Sequence, residues 1–78
     1  MSSAKIDKLV RMANQIGDFF APQPETSAAE GVANHLKRFW TPKMISEIMA
    51  RSAEAENGLN PTAASGVDRL RADNPPGA

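Results

Sequence analysis

Proline sets the plan of this chain. Pro22 and Pro24, then Pro42, then Pro61 interrupt the first 72 of its 78 residues at three places. A helix interior rejects proline, because the ring removes an amide donor and clashes with the preceding turn. The chain is thereby cut into short segments, and helices of that length are marginal in isolation. Each must bury an apolar stripe against the others. A domain of this size buries only roughly 60% of the surface its unfolded chain exposes, so the core is small. The sequence holds no Cys, which excludes a disulfide staple and thiolate ligands for zinc, haem attachment or an iron–sulfur cluster. Extra support, where needed, is expected from a protein partner.

The spacing of apolar residues predicts a helix over 4–21, with Ser3 as N-cap. Ile6, Leu9, Val10, Ala13, Ile16, Gly17 and Phe20 share one stripe, and Met12 and Phe19 lie together on its flank. Gly17 on that stripe points to a close crossing of two helices. A second helix is expected from Glu25 to Trp40, started at Pro24 or by a capping box of Ser27 and Glu30. Its stripe is Ala29, Val32, Ala33, Leu36, Phe39 and Trp40.

Thr41 as N-cap and Pro42 in the first turn start a third helix, with Met44, Ile45, Ile48 and Met49 on its face. Asn57-Gly58 should stop it. Asn60-Pro61 repeats the start signal and opens a weaker, short fourth helix carrying Ala64, Val67 and Leu70, compromised by Gly66. The last residues, 73–78, read as a disordered tail by composition. The expected architecture is all-α: a single helical domain over 1–72, with no internal repeat and no strand-like alternation.

Nine basic residues balance nine acidic ones. That argues against a dedicated nucleic-acid binder, whose affinity rests on neutralising several phosphates. No stretch approaches the ~20 apolar residues of a membrane-spanning helix, and the N-terminus lacks a signal-peptide h-region. The chain reads as soluble and cytoplasmic. The single His35 has no Cys to activate and no second His to share a metal with. Among the carboxylates, Glu54 and Glu56 stand two apart on the expected helix and do not face each other. Catalytic, cofactor-binding and metal-binding residues are therefore none.

The stretch "HLKRFWTPKM" concentrates the only His, the only Trp and a third of the basic residues at one corner between helices. A helix-turn-helix reading is weak, because the following segment becomes acidic and Ala-rich instead of offering base-contacting side chains. Trp, Arg and Met are enriched at interfaces. Arg38, Trp40, Lys43 and Met44 at the corner, with Met12 and Phe19 on the first helix, are the candidate partner interface. For Trp40 the reading stays divided between core and docking anchor.

Two longer words carry a likeness to a known family. "KLVRMANQIGDFFAPQP" and "GVANHLKRFWTPKMISEIMA" resemble the delta subunit of soluble, NAD-dependent, molybdenum-containing formate dehydrogenases, over about residues 5–50. The resemblance implies a small accessory subunit that carries no cofactor. Its partner would be the large catalytic alpha subunit, which oxidises formate to carbon dioxide at a molybdenum bis-molybdopterin guanine dinucleotide centre. Iron–sulfur clusters and FMN in the partner subunits would pass the electrons to NAD. The implied role is to support assembly, cofactor insertion or stability of a hetero-oligomer. The alternative is a free-standing helical regulator that binds DNA or another protein.

Overall fold

Pro24, Pro42 and Pro61 each stand at the start of a helix or just before it. The computed structural model describes residues 3–73. In chain order α1 spans Ser3–Phe20, α2 Glu25–Phe39, α3 Pro42–Ser52 and α4 Pro61–Asp73. Pro24 is the residue before α2, and its carbonyl accepts from the Ala28 amide at 2.8 Å. Of the two starts open for α2, the earlier one is used, so Ser27 lies inside the helix. Ser3 is the first residue of α1 and not the cap before it. Pro42 opens α3 behind Thr41, whose hydroxyl accepts from the Met44 amide at 3.2 Å. Asn60 caps α4 in the same way, its side-chain oxygen accepting from the Ala63 amide at 2.8 Å. These caps satisfy amides that a helix start leaves orphaned.

The ends differ more from expectation. α3 stops at Ser52, six residues before Gly58, and Ala53 follows it. Asn57 closes that gap by donating to the carbonyls of Ser52 and Glu54 and accepting from the Leu59 amide. Gly58 takes a left-handed φ of 78°, a conformation that favours glycine, and turns the chain toward α4. The expected tail lies, from residue 74 on, outside the described residues. Asp73, assigned to that tail by composition, is the last residue of α4.

Four helices form an all-α fold in which α4 touches each of the other three, α2 most extensively. α2 and α3, although joined by a tight corner, scarcely contact each other. The fourth helix is therefore the hub of the bundle. Its buried residues are Ala63, Gly66, Val67 and Leu70, so Val67 and Leu70 of the expected stripe are buried while Ala63 takes the place of the half-buried Ala64. Gly66 does not compromise this helix. A Cβ there would stand 2.2 Å from a Val32 methyl, so its bare backbone is what allows α4 to lie against α2. Gly17 does the same for α1, where a Cβ would stand 2.9 Å from the Ala63 amide nitrogen. The core between them contains Leu9, Val10, Ala13, Val32, Leu36, Trp40, Ile48, Val67 and Leu70.

A polar clasp fixes α1 to the loop before α4. Asn14 donates to the Gly58 carbonyl at 2.9 Å and accepts from the Asn60 amide at 2.8 Å. Asn60 returns donors to the Asn14 carbonyl and to Asp18, each at 3.1 Å. Replacing Asn14 by Ala strips partners from two main-chain groups, one of them half-buried. The expected loss is about 1–3 kcal/mol in denaturant unfolding.

The other end of α4 is tied by Arg71. Its guanidinium donates to the Met49 carbonyl at 2.5 Å and to the Ser52 hydroxyl at 2.6 Å, closing the end of α3. Lys37 reaches Asp73 at 2.8 Å. That hydrogen bond, helped by the charges of Lys37 and Arg69, holds the Asp73 carboxyl below its usual value against a smaller opposing effect of desolvation.

Candidate partner-docking surface

Consecutive phenylalanines end α1, and a helix cannot turn both inward. Phe20 packs against the core, lying so close to α2 that a Cβ on Gly31 would meet its ring at 2.5 Å. Phe19 is left outside and is 75% exposed, with its ring edge-on to Phe20 at 5.0 Å. At the other end of α2, Phe39 is 69% exposed, which corrects its assignment to the apolar stripe. α2 ends at Phe39, and Trp40 continues in an extended conformation, φ −94° and ψ 146°. The last core place of the stripe thus goes to Trp40. Phe39 instead lies on His35, with ring centroids 4.7 Å apart.

Phe19, Phe20 and His35, with Gln15 and Ile16, line a shallow groove of about 390 Å³ between α1 and α2, and Phe39 adjoins it through His35. Sequence reasoning named Phe19 but missed Phe20, His35 and Phe39 as surface neighbours. The signal was present in the spacing: Gly31, His35 and Phe39 follow each other at intervals of four residues.

The six candidate interface residues divide by depth. Phe19, Arg38 and Lys43 are exposed, while Met12 and Met44 are half-buried and pack on the core. Trp40 is only 7% exposed and belongs to the core cluster. Its amide donates to the Leu36 carbonyl at 2.9 Å, extending the last turn of α2.

Of the other hollows, one of about 220 Å³ is lined by Lys5, Ile6, Glu47, Ala50, Arg51 and Glu54. There one carboxylate oxygen of Glu47 is buried without a hydrogen-bond partner. Among the described residues, no group of three or more His, Asp or Glu is placed to hold a metal ion. No helix among them is long and apolar enough to cross a membrane.

The described residues thus form four helices around an apolar core, with polar ties at its margin and an aromatic groove on its surface. Over residues 8–67 it matches the family described as the NADH-dependent formate dehydrogenase delta subunit FdsD. The chain belongs to that family. No curated protein and no solved structure matches it. The matched region runs from the first turns of α1 into the middle of α4. It therefore contains the Asn14–Asn60 clasp, the Gly66 crossing and the whole aromatic groove.

Proposed function

We propose that this chain is a non-catalytic accessory subunit that binds the large molybdenum-containing catalytic subunit of an NAD-dependent formate dehydrogenase in the cytoplasm. It supports assembly, cofactor insertion or stability of that complex. Membership of the delta-subunit family carries this reading. The molybdenum bis-molybdopterin guanine dinucleotide, the iron–sulfur clusters and FMN belong to the partner subunits. The chemistry of the chain agrees, since it has no Cys and one His with which to ligate a redox centre.

Contacts to the partner come from the exposed Phe19, Arg38 and Lys43, with the more buried Met12, Trp40 and Met44 behind them. The remaining subunits, produced with and without this chain in the same cells, test the role. With the chain, the complex should hold more molybdenum and oxidise formate with NAD faster. Equal yield, metal content and activity in its absence would remove the assembly role.

A further inference from the structure

We infer that the groove between α1 and α2 is the centre of the docking face, and that its occupant is an apolar ridge of the large subunit flanked by carboxylates. This rests on the functional reading above and assigns the contact to particular residues.

The first support is the apolar surface itself. Phe19 and Phe39 are the large hydrophobic side chains left exposed among the described residues; Phe19 meets Phe20, Phe39 meets His35, and Phe20 and His35 line the same groove. Single exposed apolar residues are ordinary, but a contiguous patch of rings marks a contact surface.

The second support is how the charges are sorted. Four cations facing α4 and the α3 end are engaged within the fold, while Lys5 beside the α3 end has no ion pair among the described residues. Lys37 pairs with Asp73, Arg51 with Asp7 and Glu54, Arg69 with Glu30 and Asp73, and Arg71 with Asp68. Asp18 is held by Asn60 on the same α4 side. Around the groove the pattern changes. Lys8 and Arg11 precede Gln15 and Phe19 on the exposed side of α1, and Arg38 adjoins Phe39. Among the described residues neither these three nor Lys43 at the corner has an ion pair. Asp7, Glu30, Glu54, Asp68 and Asp73 are paired elsewhere, so the aromatic face carries a cationic rim on a chain of zero net charge.

That rim selects the occupant. A second copy docked face to face about a twofold axis would set cationic rims close to each other, and like charges across an interface oppose association. A partner ridge bearing Asp or Glu satisfies the rim while its apolar side chains cover the rings.

Binding of the purified chain to the purified large subunit provides the test, beside circular dichroism of every variant. Phe19→Ser with Phe39→Ser should weaken affinity at least about tenfold, because aromatic anchors dominate such contacts. Lys8→Glu with Arg38→Glu should weaken it similarly and abolish its sensitivity to salt. All four side chains are exposed, so helical content should not change. Glu56→Lys, in the exposed loop before α4, should bind as the unmodified chain does. If the unmodified chain binds and both double variants bind equally well, the face is wrong while the subunit role stands. Failure of the unmodified chain to bind overturns the role and the face together. A homodimer broken by Phe19→Ser, or retention on single-stranded RNA lost with Lys8→Glu and Arg38→Glu, would assign the groove to another occupant.

Discussion

Replacing Gly66 by Ala should lower the stability of this chain by about 2–3 kcal/mol or more, through overpacking at a helix crossing. On propensity alone the change should help, since Ala is favoured over Gly inside a helix by about 1 kcal/mol. The structure reverses the sign. A Cβ at position 66 would stand 2.2 Å from one Val32 methyl and 2.4 Å from the Val32 Cβ itself. Rotating Val32 moves the methyl but not the Cβ, so α2 and α4 must separate. That is the most extensive helix pair in the fold. For a domain of this size the loss corresponds to a melting temperature lower by at least about 10 °C. Adding Val32→Ala should not rescue it, because the obstructing Cβ remains. A melting temperature that rises in Gly66→Ala would show that the two helices do not cross at this point.

The second large effect is expected at Trp40. Truncating a buried Trp to Ala costs about 3–5 kcal/mol, which is comparable to the whole stability expected of so small a core, ~3–5 kcal/mol. Trp40→Ala should therefore be largely unfolded, with circular dichroism showing loss of helix. Trp40→Phe keeps an aromatic ring in the core and should remain helical with a reduced melting temperature. Intrinsic fluorescence gives a clean companion signal because the chain has one Trp and no Tyr. Emission should shift to the red through the same transition that removes helicity. Retention of full helicity in Trp40→Ala would place the indole outside the core. It would also return the residue to the docking side of the question that its sequence context left open.

Helix positions were legible because proline and cap residues act locally. Thr41-Pro42 and Asn60-Pro61 state their helix starts in two residues each, and the structure uses both. The weight of α4 was not legible. Its apolar pattern is thin, with Ala63, Gly66, Val67 and Leu70 as its buried residues. What makes such a helix central is the fit of small side chains beneath α1 and α2, which no single-helix stripe reports. Gly66 counts against a helix in isolation and in favour of one that must approach Val32. The end of α3 was misplaced for a related reason. Arg71, 19 residues beyond Ser52 in the chain, closes that helix from α4, and only the tertiary fold brings the two together.

The surface was legible in part. Phe19 and Arg38 stood out from their helix stripes, and both are exposed. Phe39 did not, because periodicity assumes that α2 continues to Trp40. The change to an extended backbone at Trp40 exchanges the two rings, sending one to the core and the other onto His35. The likeness to formate dehydrogenase delta subunits came from words whose residues include structural ones. Asn14 and Gly17 in "MANQIG" hold α1 against α4 and its preceding loop. The matched region thus spans the packing of the bundle as well as the aromatic groove.

The most direct test of the subunit role is affinity capture of this chain, tagged, from the cells that make it, followed by mass spectrometry and metal analysis of what is retained. The large formate dehydrogenase subunit should be the principal protein recovered, in near-stoichiometric amount and accompanied by molybdenum and iron. Those metals should be lost when the partner is washed away by denaturant and the chain is refolded alone. Recovery of the chain without any formate dehydrogenase subunit, while it is folded and abundant, would contradict the account.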